Sequence, residues 1–122
     1  MQKWKFGGDK ADCDELFEKV VSGEKTATCS RVDFDKAVAE FGEFSILTNF
    51  DETKEVVLKT TKLFPCKFKD ITKEHAIKEG DGSLKNWRKL HKEFFTEELG
   101  ESGKKFSEEI MLTCEEFEIV DD

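Results

Sequence analysis

Leu84, Trp87, Leu90, His91, Phe94, Phe95 and Leu99 recur at helical spacing behind Ser83, a good N-cap. They predict one long helix over 84–99 with a single broad apolar face, ended by Gly100. A face that wide needs other elements to cover it. Cys13, Leu16, Phe17, Val20 and Val21 form a second stripe, on a helix over 10–22. Asp12 with Glu15 suits its capping box, and Gly23 supplies the left-handed residue that ends it. Phe44 to Phe50 and Glu55 to Leu63 are β-rich runs joined by Asp51-Glu52-Thr53-Lys54, a hairpin pattern whose second strand stops at Pro65. Ile110 to Val120 reads as a closing strand carrying a bulge. Weaker helical patterns cover 32–41, with Phe34, Val38 and Phe41 before Gly42, and 72–79, stopped by Gly80-Asp81-Gly82. With 122 residues and no linker or repeat, the expectation is one α+β domain over 1–122.

Charge then narrows the partners. The 28 acidic residues outweigh 20 basic ones, for a net of -8. Non-specific duplex binding draws mainly on Lys and Arg neutralising phosphates, so no DNA partner is expected and any RNA contact must be local. No apolar run is long enough for a membrane span, and residues 1–10 lack the apolar core of a secretory signal, so a cytoplasmic protein with no membrane partner is expected. Cysteines 13, 29, 66 and 114 form no CxxC pair, and His75 and His91 form no HExxH-like pattern; neither a metal nor a cofactor is expected.

Three segments stand in a telling order: Trp4-Lys5-Phe6-Gly7 with Gly23-Glu24-Lys25-Thr26-Ala27-Thr28; Glu79-Gly80-Asp81-Gly82-Ser83-Leu84 leading to Trp87, Arg88 and His91; and Leu112-Thr113-Cys114-Glu115-Glu116-Phe117. Together they resemble the ASCH family over nearly the whole chain. The resemblance implies a PUA-like small β-barrel with surrounding helices and a cleft beside the K-T-A-T segment. A shorter relative in that superfamily hydrolyses N-acetylcytidine with a lysine, a threonine and a glutamate, and is similar here around Lys25 and 72–79; those roles map onto Lys25, Thr28 and Glu79. Other relatives bind RNA or cleave single-stranded RNA. The resemblance therefore implies a protein acting on modified nucleosides, with metal-independent amidohydrolase chemistry as one outcome. A non-catalytic RNA-binding module and a single-strand ribonuclease are the others.

The chemistry of these side chains is coherent. A threonine hydroxyl attacks an amide once a base removes its proton, and a desolvated lysine can be that base. In a regular strand residues 25 and 28 point to opposite faces, so Lys25 and Thr28 converge only if the chain turns between them. Otherwise Lys25 is a solvated turn charge and Thr28 an ordinary strand residue. Glu79 precedes a flexible Gly80-Asp81-Gly82 stretch, where a carboxylate can lean into a cleft as acid or base, or lie on the surface. Trp4, Phe6, Thr26, Arg31, Asp81, Trp87, Arg88 and His91 are the candidate substrate contacts. Competing readings place Trp87 in the core, His91 there with one hydrogen bond, and the two arginines in surface salt bridges. Cys29, with no histidine beside it in sequence, is not a candidate nucleophile.

Overall fold

The structure, a computed structural model, describes residues 1–40 and 42–120. Along the chain run β1 (Gln2–Trp4), α1 (Lys10–Val21), β2 (Ala27–Ser30), α2 (Phe34–Glu40), β3 (Phe44–Thr48), β4 (Glu55–Lys67), a single 3-10 turn (Phe68–Asp70), α3 (Lys73–Lys78), α4 (Leu84–Glu101) and β5 (Met111–Ile119). The strands form one sheet in the order β1-β3-β4-β5-β2, with β1 parallel to β3 and the other pairs antiparallel. No helix among the described residues is long and apolar enough to cross a membrane.

Side-chain alternation along the strands builds two cores on opposite faces of the sheet. Leu47, Leu58 and Phe117 meet Phe17 and Val20 of α1 on one face. On the other, Leu112 and Cys114 pack with Phe68, Ile71, Ala76, Trp87 and Phe95, covered by α3 and α4. The broad stripe of α4 is thus only partly core: Trp87 and Phe95 are fully buried, while Leu90 and Phe94 are exposed.

The expected barrel does not close. β1 and β2 are the two edges of the sheet and do not pair. Yet Trp4 of β1 and Thr28 of β2 line one cleft, so the sheet curls until its edges face each other across open space. Edges of three and four residues offer little ladder with which to close the gap.

Several boundaries differ from the sequence reading for local reasons. Asp9, not Asp12, caps α1, accepting the Asp12 N–H at 2.9 Å, while Gly23 takes the expected left-handed φ of +84°. The helix expected to reach Phe41 is observed as Phe34–Glu40, and Phe41 lies outside the described residues. β4 runs through Pro65, which pairs with Thr113; β3 stops pairing at Lys59, so beyond it β4 has one neighbour and a missing N–H on its free side costs no ladder bond. The bulge belongs to β4, with Thr61 as the extra residue between Thr60 and Lys62, and not to β5. α4 passes through Gly100 to Glu101; the left-handed residue is Gly103, φ +71°, after which the Lys104 N–H bonds the Leu99 carbonyl at 2.8 Å.

Phe95→Ala is expected to lower unfolding stability by about 3–5 kcal/mol through loss of transfer energy and a cavity under α4. A urea titration reads this as a lower midpoint at unchanged slope. A loss below about 1 kcal/mol would mean that α4 does not anchor this core.

Candidate functional site

The segment after α1 is clamped before it becomes a strand. Lys25 donates its N–H to the Lys19 carbonyl at 3.0 Å, and Thr26 donates to the Lys78 carbonyl of α3 at 2.7 Å. Lys25 therefore precedes the regular pleat of β2, and both it and Thr28 line the cleft. The chain turns at 22–24, before Lys25, and runs without a further assigned turn into β2. Gly80, φ +89°, packs against this segment: a Cβ there would lie 3.5 Å from the Glu24 carbonyl oxygen and 3.6 Å from Lys25 Cβ.

The cleft encloses about 620 Å³, within the range of small-molecule sites, between α1, the outer side of α4 and the facing edges of the sheet. At its floor lies Glu79, the C-cap of α3, only 2% exposed. Its Oε2 lies 2.6 Å from His75 Nε2 and accepts the Trp87 indole N–H at 2.8 Å. Its Oε1 lies 3.3 Å from His91 Nε2 and 3.6 Å from Lys25 Nζ. Lys25, 4% exposed, also donates to the Glu79 carbonyl at 3.1 Å and sits 5.5 Å over the Phe6 ring. Burial alone would raise the pKa of Glu79, but the hydrogen bonds from His75 and His91 and the Lys25 charge outweigh it and hold this carboxyl far below the usual carboxylate range. Its contacts with His75, Trp87, His91 and Lys25 fix the carboxylate in place at the base of the cleft.

His91 stacks on Trp87 at 4.3 Å, and its Nδ1–H donates to the Trp87 carbonyl at 2.9 Å, which turns Nε2 toward Glu79. Asp81 Oδ2 is buried without a hydrogen-bond partner among the described residues and lies 3.7 Å from His91 Nδ1. Burial, then the Glu79 charge, push the Asp81 carboxyl up against the opposing pull of His91 and Lys25. Trp4 and Phe6 line the cleft edge to face, 5.1 Å apart, and the Trp4 indole donates to Ser45 at 3.1 Å.

Four candidate contacts do not line the cleft. Thr26 spends its backbone on β5 and α3, accepting the Phe117 N–H as well as bonding Lys78. Arg31 pairs with Glu98 at the rim. Trp87 is core, reaching the site only through its indole N–H, and Arg88 is exposed on α4.

Other residues were not foreseen. Glu115, opposite Thr28 in the β2–β5 ladder, lines the cleft, accepts the Thr60 hydroxyl at 2.5 Å and is pushed up by burial. Leu90 and Phe94, read in sequence as helix stripe, open onto the cleft instead. Cys29 lines it too; burial, then the nearby Glu79 charge, push its thiol well up, which suits a neutral thiol and not a nucleophile. The four cysteines are free. His75 carried a legible signal, because it lies four residues before Glu79 on a short helix and so faces the same way.

A curled mixed sheet with helices on both faces and a cleft at its open edge is a PUA-like α+β architecture. The chain belongs to the ASCH domain family, whose model matches residues 2–121. It is similar to the crystal structure of an ASCH domain from Lactobacillus crispatus JV V101, with 26% identity and a TM-score of 0.82 over 97% of this chain and 78% of that one. A protein of Enterococcus faecalis V583 aligns at 32% identity and a TM-score of 0.86 over 99% of this chain and 77% of that one. A hypothetical protein at 18% identity, covering 98% of this chain and all of that one with a TM-score of 0.61, shares the fold. No curated protein matches the sequence.

Glu79→Gln is expected to cost about 3–5 kcal/mol, since Lys25 loses a buried counter-charge and the side chains around Glu79 lose a charged acceptor. Because the folded carboxyl titrates below its unfolded value, the Glu79 contribution is fully present above about pH 4.5 and is lost as pH falls toward the folded value. Denaturant titrations across the acid range should show this loss in the parent and a shallower one in the variant. Equal slopes would show that Glu79 is not held as an anion.

Proposed function

We propose that the cleft binds one modified nucleoside and hydrolyses an acyl amide on its base, with N-acetylcytidine as the substrate to try. The observation that carries this reading is the convergence of Lys25, Thr28 and Glu79 on one cleft with an acidic lining. Asp12, Glu15, Glu79, Asp81, Glu98 and Glu115 face it against Lys5, Lys19 and Lys25. Such a wall disfavours a phosphate chain and suits a ligand rich in N–H and O–H donors, as a cytosine nucleoside is.

In this reaction Lys25 Nζ first gives up a proton to solvent, and Thr28 Oγ then forms a bond to the acyl carbon as its hydroxyl proton passes to that amine. The C–N bond then breaks, and Lys25 returns the proton to the departing exocyclic amine, freeing cytidine. Water next splits the acyl-threonine, releasing acetate and restoring the hydroxyl. Glu79 acts as a positioning residue, fixing Lys25 and His91 by its charge. No metal enters this reaction, and a cytoplasmic setting is compatible with its free thiols. A second reading draws on Phe94, 49% exposed at the mouth, which could stack an unpaired base of single-stranded RNA held without reaction.

Chromatography of N-acetylcytidine incubated with the protein should show cytidine, and Lys25→Met and Thr28→Val should each slow it by about 10²–10⁴-fold. Lack of turnover at high protein concentration would sink the amide reading. A labelled single-stranded oligonucleotide bound with steep salt dependence would then establish the second.

A further inference from the structure

Three side chains with metal-ligand chemistry meet in one corner of the cleft. A Cys29 Sγ, a Glu79 carboxylate oxygen and a His91 ring nitrogen all lie within 4.8 Å of one another. His91 Nε2 and Glu79 Oε1 are already 3.3 Å apart. A tetrahedral ion with ligand bonds of about 2.0–2.3 Å needs donors roughly 3–4 Å apart, so small side-chain adjustments suffice. We propose that Cys29, Glu79 and His91 form a three-ligand site for a thiophilic d-block dication, zinc(II) foremost, with its fourth position open to the cleft.

The surroundings are those of a ligating set. The His91 Nδ1–H is committed to the Trp87 carbonyl at 2.9 Å, which leaves Nε2 facing the cluster. Glu79 Oε2 is occupied by His75 and Trp87, so Oε1 is the oxygen left for an ion. One sulfur, one imidazole nitrogen and one carboxylate oxygen favour zinc or cobalt over magnesium or calcium, which prefer all-oxygen shells. Binding would replace the S–H bond of Cys29 with an S–metal bond and any Nε2–H bond of His91 with an N–metal bond, releasing those protons to solvent. Lys25 opposes it: its ammonium is 3.6 Å from the same Oε1, and an ion there drives it away from that oxygen, though its bond to the Glu79 carbonyl can remain. The site therefore carries a built-in repulsion that a variant can remove.

The full chain, kept reduced with a phosphine, is titrated with cobalt(II) while thiolate-to-cobalt charge transfer in the near ultraviolet and tetrahedral bands in the visible are recorded. A saturable one-equivalent signal, displaced by zinc(II), is expected. Cys29→Ser should abolish the charge-transfer band, and His91→Gln, which leaves every thiol in place, should weaken binding about 10–100-fold. Lys25→Met should tighten it about tenfold or more by removing the like charge. Far-ultraviolet circular dichroism checks that each variant is folded, and His91→Gln carries the test should Cys29→Ser not fold. No saturable signal, a charge-transfer band that survives Cys29→Ser, or an affinity indifferent to Lys25→Met would each overturn the site. No nucleoside enters the assay, so its outcome is separate from that of the amide chemistry.

Discussion

The Glu79 carboxylate is the interaction through which the two helices behind the sheet and the segment leading to its edge strand are joined. It ends α3, receives the indole N–H of Trp87 and contacts His91, both from α4, and faces Lys25 from the approach to β2. The partners come from three parts of the chain, α3, α4 and the approach to β2, yet all meet at one side chain with almost no solvent access. A buried charge with four cationic or N–H neighbours is costly if any is withdrawn, and that cost fixes where α3 and α4 sit relative to β2. His75 shows the priority: its Nε2 serves Glu79, while its buried Nδ1 has no partner among the described residues.

The open sheet matters as much as the anchor. Had β1 and β2 paired, the space now lined by Trp4, Phe6, Thr28 and Ser45 would have been filled by ladder hydrogen bonds and interior side chains. Their separation lets a water-accessible cleft reach a carboxylate that is otherwise core. One face of the sheet is sealed by α1 only around Leu47, Leu58 and Phe117, and the remainder of that face is left for a ligand.

Legibility in the sequence followed range. α1 and α4 were readable because their periodicity is local, and Ser83 caps α4 as its sequence suggested, accepting the Asn86 N–H at 3.1 Å. β1 was not, since three residues pairing in parallel with β3, some forty positions away, leave no periodic trace. Pro65 misled because a proline ends a strand only where both sides are paired, and pairing on one side is a tertiary fact. Within the site, the resemblance pointed to Lys25, Thr28 and Glu79, whereas Cys29 and Glu115 depended on which side of an edge strand and its neighbour met the cleft. Arg31 is satisfied by Glu98, a pairing across 67 positions that spacing cannot reveal.

Among the described residues the long β4 strand leaves one flank without a strand neighbour beyond Thr60, and such a flank is a template on which a second chain could zip. Pro65 withholds a donor there, Thr61 kinks the line of amides, and Lys62 and Lys67 place charge along the strand. The same proline that made the strand hard to recognise thus removes one of the amide donors that a second chain would need in order to pair along that flank.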